Sequence, residues 1–346
     1  MTNQKFNMPA EWAPHQAILL SWPHNPRTWP GHVEDVRQTY MHFIREVTSS
    51  EDLWLFVKDE TVAQDVRRRL TLAGVSDARV TFITHPTNDS WIRDYGPIAV
   101  YDEAGKLALS NWIFNGWGDK YAHEENYEND NIVPNVVAKK LNCELISQNI
   151  ILEGGSIDVN GKGTILTSKS CLLNSNRNSH LSQNQIVKII ESTLGVRHWI
   201  WVPEGIAGDD TDGHIDDTVR FVNDHTVVCM FEENTADENH APLKACYDVL
   251  SASTDQDGRP LRVIKLPMPT PVEFDGERLP ASYANFLICN TKVLVPTFAC
   301  KEDAVALQIL QDLFPTRQVV GIDARALVIG FGSLHCLSQQ IPKNQM

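Results

Sequence analysis

Titratable side chains gather in four short segments of the sequence, each rich in glycine or set among apolar residues. The segments are Trp91 to Pro97, Leu152 to Ser156, Asp212 to Asp217 and Gly330 to Cys336. Each stands near the start of a recurring pattern of strands and helix, so a fold that arranges these recurrences around an axis would bring the segments together. The sequence therefore predicts one central polar site.

Cys336 is the candidate nucleophile of this site, because it follows His335 after a glycine-rich turn that lets a ligand approach the backbone. A free thiol has a pKa of about 8.5 and attacks only as the thiolate, so it needs activation at neutral pH. A cationic substrate would supply part of that activation. The other cysteines are expected to be buried structural thiols, namely Cys143, Cys171, Cys229, Cys246, Cys289 and Cys300.

His214 and Asp216 stand two positions apart in a segment that reads as the beginning of a strand, so we expect their side chains on one face. A guanidinium group is planar, and its natural receptors are carboxylates, which Asp94 and Asp216 would supply. Glu153, in a Gly-Gly turn, is either a further acceptor or the residue that orients His214. There are two alternatives: His214 and Asp216 could be a solvent-facing pair, and Arg93 and Asp94 could form a structural salt bridge. The grouping of four such segments is the one argument against both.

A metal site is a competing interpretation, because acidic residues and a histidine crowd one stretch of the chain. They are Asp209, Asp210, Asp212, His214, Asp216 and Asp217. Against it, the sequence has no His-Glu-x-x-His helix, no paired Cys-x-x-Cys and no EF-hand calcium loop. We therefore predict no metal and no other cofactor.

The charge balance limits the partners of this chain. It has 30 basic and 44 acidic residues, a formal net charge of −14, and the acidic residues are scattered rather than gathered in a tail. Such a surface repels nucleic acid and anionic membranes and attracts small cations. We expect neither nucleic acid nor membrane as a partner.

Cellular location is predicted from the N-terminal residues and the cysteines. Met1 to Ala10 has no basic stretch followed by an apolar run, and no window approaches the apolar length of a membrane span. Seven scattered cysteines, an odd number, are typical of free thiols in a reducing compartment. These features predict a cytoplasmic protein. The oligomeric state stays open, with a homo-oligomer as one outcome.

Apolar periodicity predicts the elements that must position the polar segments. Helical spacing marks residues 32–48, 60–73, 182–194, 238–252 and 302–314, each followed by a short strand-like run. Hairpin patterns precede most of these helices, and the whole unit returns at roughly sixty-residue intervals. An open doubly wound sheet is the alternative, but no glycine-rich phosphate loop follows a strand, and hairpins are too frequent for an all-parallel sheet. We predict one closed α/β domain with internal repeats.

Taken in order, the motifs resemble those of the agmatine deiminase and bacterial-type peptidylarginine deiminase family, within the guanidino-group-modifying or pentein superfamily. The resemblance covers nearly the whole chain, through Met8 to Trp12, Ser21 to Pro23, Trp91 to Pro97, Glu153 to Gly155, Gly213 to Asp216, Tyr283 to Phe286, His335-Cys336 and Gln339-Gln340. It implies a five-bladed α/β propeller of pseudo-fivefold ββαβ repeats, with residues 1–346 as a single catalytic domain.

The resemblance also implies roles for individual residues. Cys336 matches the nucleophile, His214 the general acid and base, and Asp94 and Asp216 the carboxylates that hold the guanidinium group. Glu153 matches a glutamate near the histidine. The further matches Trp91 and Asn285 are expected to bind substrate. The implied reaction is the hydrolysis of agmatine to N-carbamoylputrescine and ammonia through a covalent thiouronium, a step of putrescine and polyamine synthesis.

Substrate choice is the open part of the prediction. Agmatine ends in an ammonium group, so an acidic entrance formed by Asp209, Asp210 and Asp217 would suit it. The rivals are a deiminase of free or peptidyl arginine, a non-catalytic pentein binding protein, and a metal-dependent hydrolase. Two residues depart from the family pattern: Phe331 replaces the middle glycine of the last motif, which predicts a narrower channel, and Asp217 stands where many relatives have asparagine.

Overall fold

The computed structural model describes residues 6–121 and 127–345. Residues 1–5, on which part of the argument against a leader segment rests, lie outside the described residues. The strands are β1 Phe6–Asn7, β2 His15–Ser21, β3 Asp52–Val57, β4 Val80–Thr84, β5 Ile98–Asp102, β6 Leu107–Ile113, β7 Glu144–Ile151, β8 Ile157–Val159, β9 Thr164–Ser168, β10 His198–Val202, β11 Val219–Asn223, β12 Thr226–Phe231, β13 Arg262–Pro267, β14 Glu273–Phe274, β15 Glu277–Arg278, β16 Leu287–Ile288, β17 Lys292–Thr297, β18 Gln318–Asp323 and β19 Ser338–Pro342. The helices are α1 Val33–Ser50, α2 Glu60–Leu72, α3 Ile92–Tyr95, α4 Gly116–Asp119, α5 Glu128–Leu141, α6 Lys169–Leu172, α7 Ser175–Asn178, α8 Gln183–Leu194, α9 His240–Ser251 and α10 Glu302–Leu313.

Five of the sheets share one arrangement, in which an antiparallel pair of strands is extended by a parallel third strand. They contain β19-β2-β3, β5-β6-β7, β8-β9-β10, β11-β12-β13 and β16-β17-β18. In each unit a long helix connects the second strand to the third, as a parallel connection requires. The predicted order of hairpin, helix and strand is therefore present five times in the described residues of this mixed α/β chain.

The helices predicted from apolar spacing are confirmed within two residues at each end. In α1 the apolar side chains at positions 36, 40, 43, 44 and 47 are all fully buried. Burial of each such side chain stabilises the fold by roughly 1.5–3 kcal/mol. Below it, β3 carries five consecutive buried residues, as expected for a strand that is covered on both faces.

Two elements between residues 128 and 151 are not predicted from the sequence. In α5 the buried positions 130, 133, 134, 137 and 138 follow helical spacing, but they include Asp130 and the helix-breaking Pro134, so the apolar pattern in the sequence is weak. In β7, exposed and partly buried residues are mixed rather than strictly alternating. Neither element therefore has the clear apolar periodicity on which the sequence argument depends.

Strand β19 joins the two ends of the described chain. It pairs antiparallel with β2, with Ser338 opposite Leu20 and Gln340 opposite Ile18. Beyond the strand, the backbone N–H of Lys343 donates to the carbonyl of Pro14 at 2.8 Å. The segment that carries Cys336 is thus fixed against a strand from the other end of the sequence.

Apolar side chains of the described residues form three buried clusters. The largest runs from β2 through α1 and on to β17 and β19, so it underlies the segment before β19. Among the described helices, none combines the length and the apolar content needed to cross a membrane.

Candidate active site

The residues predicted for the site lie directly before the first strands of the five repeated sheets. Asp94 is in α3 before β5, Glu153 precedes the 3₁₀ turn that leads into β8, and Asp216 is in the turn before β11. Asn285 lies two residues before β16, and Cys336 two residues before β19. Each sheet therefore contributes one polar residue from an equivalent position.

The prediction that His214 and Asp216 begin a strand is wrong. Residues Ile215–Asp217 form a 3₁₀ turn, and the strand begins only at Val219. Gly213 leads into the turn with φ +103°, a left-handed conformation that favours glycine. The two side chains still point to one place, but through the turn and not through strand alternation.

Asp209 holds this turn in place. Its carboxylate accepts hydrogen bonds from the backbone N–H of Thr211 at 2.7 Å and from the backbone N–H of His214 at 3.0 Å. The prediction that Asp209 lines an acidic entrance is therefore wrong, because its oxygens are engaged by the loop. It fixes the backbone of His214 instead.

Gly155 marks the point where three predicted site residues converge. A Cβ atom at this glycine would lie 2.6 Å from His214 Nδ1, 2.8 Å from Asp94 Oδ1 and 3.1 Å from Asp216 Oδ2. These distances are shorter than van der Waals contacts, so no larger residue fits without displacing a polar side chain. The glycine predicted in the Glu153 motif is required by close approach rather than by backbone conformation.

A cavity opens beside these side chains. Four predicted site residues line it, namely Trp91, Asp94, Asp210 and Cys336. The other four are buried next to its wall, namely Glu153, His214, Asp216 and Asn285. Sequence analysis missed Trp117 and Tyr121 in the lining. The one available signal was the Gly116–Gly118 sequence, where Trp117 adopts φ +56° between two glycines of positive φ.

Asp94 is fixed by two donors. Its Oδ1 accepts the backbone N–H of Gly155 at 2.9 Å, and its Oδ2 accepts the indole N–H of Trp117 at 2.8 Å. Arg93 forms no salt bridge with it, because the guanidinium of Arg93 donates instead to the side chains of Gln339 and Gln340. Burial raises the pKa of Asp94, and a bound cation would favour its ionised form.

His214 is fully buried, and neither of its ring nitrogens has a hydrogen-bond partner within the described residues. Its Nδ1 lies 3.7 Å from Asp94 Oδ1. Burial opposes a charge on the ring, but Asp94, Cys171 and Glu153 outweigh it and raise the pKa of His214 well above its usual value. Unpartnered buried nitrogens are costly, and a bound ligand or water would satisfy them.

The thiol of Cys336 lies between an amide donor and a carboxylate. The amide N–H of Asn285 donates to its Sγ at 2.9 Å, and Asp216 Oδ2 is 3.6 Å away. Burial raises the pKa of this thiol well above its usual value, and the charges of Asp216, Asp217 and Asp94 add to the effect. These contributions favour the neutral thiol, and a cation in the cavity would favour the thiolate.

Asn285 contacts the thiol rather than lining the cavity. Its Oδ1 accepts the backbone N–H groups of His335 and Cys336 at 3.0 and 3.3 Å. Its amide also donates to Asp217 Oδ1 at 2.9 Å. Asp217 is only 2% exposed, so the prediction that it charges the entrance is wrong. Both residues position the loop that carries Cys336, and direct substrate binding by Asn285 stays a prediction.

Glu153 belongs to a buried ion-pair network that sequence analysis missed. Its Oε1 accepts Arg177 Nε at 2.6 Å, and the same guanidinium donates to Asp212 Oδ2 at 2.8 Å. Glu153, Cys171 and His214 place possible metal ligand atoms within 4.8 Å of one another. Arg177 already pairs with this carboxylate and opposes a second cation at this group, while Asp216, Asp217 and Cys336 form a second such group, so the absence of a metal stays a prediction.

Phe331 lies at the mouth of the cavity and is 36% exposed. Its φ of +68° is left-handed, a conformation that costs a non-glycine residue roughly 1–2 kcal/mol. The ring therefore occupies space that a glycine would leave open, in agreement with the narrower channel predicted from the sequence. Asp210 lies in the same lining as Phe331 and is held by the hydroxyl of Tyr121.

Repeated α/β units that present a cysteine, a histidine and carboxylates at one cavity place this chain in a known class. It belongs to the Porphyromonas-type peptidyl-arginine deiminase family, whose model matches residues 7–342.

Individual relatives narrow the comparison. A protein of Yersinia pestis with a provisional agmatine deiminase name is 36% identical over 358 residues, which cover 97% of this chain and 95% of the relative. Agmatine deiminase from C. jejuni, solved as a cysteine-to-serine variant with substrate bound, has a TM-score of 0.90 and 33% identity over 99% of this chain and 98% of its own. Agmatine deiminase of Enterococcus faecalis has a TM-score of 0.91 and 28% identity, with 99% of each chain covered.

Proposed function

We propose that this protein is an agmatine deiminase that hydrolyses agmatine to N-carbamoylputrescine and ammonia. One observation carries the proposal: His214, Asp94 and Asp216 converge at Gly155, beside a cavity that holds the Cys336 thiol. The names of the relatives from C. jejuni and Enterococcus faecalis support the same substrate. Such a reaction feeds putrescine and polyamine synthesis.

Catalysis begins when the substrate cation enters and offsets the carboxylates near Cys336. Asp94 and Asp216 accept the guanidinium N–H groups and hold its plane against the sulfur. The Cys336 thiol loses its proton to solvent water, and the resulting thiolate attacks the central carbon and forms a C–S bond. His214 gives its proton to the departing nitrogen, the C–N bond breaks, and ammonia leaves a covalent thiouronium on Cys336.

The second half of the reaction releases the product. His214, now neutral, takes a proton from a water molecule, and the oxygen adds to the same carbon. The C–S bond breaks, which returns the thiolate, and the remaining O–H proton passes to solvent water, which frees the neutral ureido product. One water is consumed and one ammonia is released, and no cofactor enters the balance. Glu153, fixed by Arg177, favours the protonated form of His214 between cycles.

The recurring sheets support the predicted architecture. We infer a five-bladed α/β propeller with pseudo-fivefold ββαβ repeats, formed by a single catalytic domain, because five sheets share one strand order and one helix position. The site residues would then surround the axis. Three further predictions accompany this proposal. They are a cytoplasmic location, no nucleic-acid or membrane partner, and a homo-oligomer as a possible assembly.

A specific observation favours a second candidate, a deiminase of free or peptidyl arginine. Arg27 is exposed and lines the cavity, where it could face a substrate carboxylate. Asp89, Asp94 and Asp210 line the same cavity, so carboxylates outnumber it there. This balance favours a substrate whose distal end is cationic, as in agmatine.

Ammonia release from agmatine, free arginine and a blocked arginine peptide tests the proposal when the three are compared with excess chelator present. We expect release from agmatine above the other two. A preference for arginine would keep the chemistry and change the substrate. Release only after a divalent ion is restored would indicate a metal hydrolase, and no release from any of the three would favour a non-catalytic binding protein.

Substitution of Gly155 by alanine is expected to lower kcat/KM for agmatine by about a hundredfold, because an ångström-scale displacement of reacting groups costs that much. The new methyl group would displace His214, Asp94 or Asp216. Gly321→Ala is the matched control, since its Cβ would meet Thr297 Cγ2 at 2.9 Å, among residues that do not line the cavity. Equal activity of the two folded variants would contradict the convergence of the site at Gly155.

We expect recognition of the agmatine ammonium to depend on pH through the carboxyl group of Asp210. Burial raises the pKa of Asp210 to about 6, against the hydrogen bond from Tyr121. The carboxyl is neutral below that value and charged above it, so it attracts the substrate ammonium only at higher pH. The kcat/KM ratio of agmatine to butylguanidine, which lacks the ammonium, should rise about tenfold between about pH 5 and about pH 8. Asp210→Asn should make this ratio independent of pH; an unchanged rise in the variant would assign ammonium recognition elsewhere.

A further inference from the structure

Glu11 and His335 form a buried chain of contacts that ends at Asp216. The imidazole of His335 has its Nδ1 2.6 Å from Asp216 Oδ2 and its Nε2 2.9 Å from Glu11 Oε2. All three side chains are at most 6% exposed. Glu11 comes from a segment 324 positions away in the sequence, before β2. This contact assigns a role to Glu11 of the Met8 to Trp12 motif, which takes no part in the reaction proposed above.

Hydrogen bonding fixes the state of the imidazole. A neutral imidazole has one N–H and one lone pair, so it can donate to only one of two carboxylates. Arg220 holds Glu11 as the anion, since its guanidinium donates to the same oxygen that faces His335. Only a ring with hydrogen on both nitrogens can donate to both carboxylates, and such an imidazolium would lie between two acidic side chains.

The contact leaves Asp216 with one free oxygen. Oδ2 accepts from His335 and lies 3.6 Å from the sulfur of Cys336. Oδ1 is buried and has no hydrogen-bond partner in the part of the chain that the structure describes. His335 thus fixes Asp216 through Oδ2, the oxygen that faces the sulfur of Cys336, and leaves Oδ1 without a partner among the described residues.

We propose that Glu11 and His335 are positioning residues that act through Asp216: they hold this carboxylate ionised, fix its Oδ2 near the sulfur of Cys336, and limit its effect on that thiol. The inference rests on the proposed deiminase function for its kinetic consequence. Its electrostatic consequence, the state of the Cys336 thiol, does not need substrate. Neither residue touches the reacting atoms.

The other charges around His335 agree with this role. Arg93 Nε donates to its backbone carbonyl at 3.2 Å, and Arg220 bridges Glu11 to Asp158. Burial opposes ionisation of Asp216, but the hydrogen bond and charge of His335 lead the contributions that lower its pKa. Loss of the imidazolium would leave Asp216 uncompensated beside the thiol.

The test measures alkylation of Cys336 by iodoacetamide against pH without substrate, with the modified cysteine identified by mass spectrometry. His335→Gln keeps a side chain of similar reach that can donate to one carboxylate, but it carries no charge. We expect its alkylation midpoint to move up by about one pH unit and kcat for agmatine to fall about tenfold. Glu11→Gln should move both quantities in the same direction, because His335 loses one of its two anions.

His85→Gln is the control, because His85 bonds the carbonyl of Asn129 and does not line the cavity. It should leave the alkylation profile and kcat at wild-type values. A folded His335→Gln protein with a wild-type profile and wild-type kcat overturns the inference. If that variant does not fold, Glu11→Gln is judged by the same two measurements. If wild-type protein alkylates as expected but releases no ammonia from agmatine, the proposed function fails, while the alkylation shift still decides the inference.

Discussion

Replacement of Cys336 by alanine is expected to abolish ammonia release from agmatine, a loss on the order of 10⁴-fold or more, because nucleophile removal has that effect in comparable enzymes. Among the described residues that line the cavity, Cys336 is the only one with a thiol. The carboxylates remain, so the variant should still bind agmatine. Calorimetric titration of the folded variant, beside a turnover assay, measures both quantities.

Cys246→Ala is the matched control for this experiment. Cys246 is fully buried in a different apolar cluster, and its Sγ donates to the carbonyl of Glu204. Its truncation should lower the melting temperature and leave kcat close to wild type. Turnover of agmatine by Cys336→Ala at more than a few per cent of wild type would show that another group attacks the substrate.

Asp94→Asn is expected to lower kcat/KM by about a hundred- to a thousandfold, because loss of one partner of a buried charge pair costs roughly 3–4 kcal/mol. The two oxygens of Asp94 accept N–H groups from Gly155 and Trp117. An amide offers only one acceptor, so one of these donors loses its partner. The variant also loses the charge that faces the substrate and His214. Steady-state kinetics with agmatine measure the effect.

Asp130→Asn separates this loss from a general cost of replacing a buried carboxyl. Asp130 is fully buried in α5 and accepts the backbone N–H of Asn88 at 2.7 Å. Burial raises its pKa well above the usual value, and an amide in its place keeps an oxygen that can accept the N–H of Asn88. This variant should keep wild-type kinetics. Near-normal activity of Asp94→Asn would refute its role in holding the guanidinium.

Local periodicity made much of this architecture predictable. The stripe of α1 and the hairpin of β5 and β6 follow from residues that are close in sequence. The four polar segments could be grouped because each stands near the start of a recurring unit of the sequence. The turn after Gly213 is set by the left-handed conformation of that glycine and not by a periodic pattern. The strand predicted to begin at His214 was therefore wrong, although the side chains of His214 and Asp216 converge.

Long-range partners could not be predicted in the same way. Arg177 beside Glu153 and Trp117 beside Asp94 come from other loops, and no spacing rule connects them. Charge alone also misled the prediction of the entrance. Asp209 and Asp217 are acidic residues in an acidic stretch, but the first caps a loop and the second is buried against Asn285. Of the three residues predicted for the entrance, all within the described part of the chain, Asp210 is the one that lines the cavity.

Because β19 pairs with β2, the site is complete only after two distant parts of the sequence have come together. His335 and Cys336 precede β19, and Glu11 precedes β2, so their contact closes a loop of 324 positions. Loop closure costs entropy, and contacts of such separation are slow to form. A nascent or partly folded chain therefore has no assembled nucleophile, and ammonia release reports that the whole chain has reached its native state.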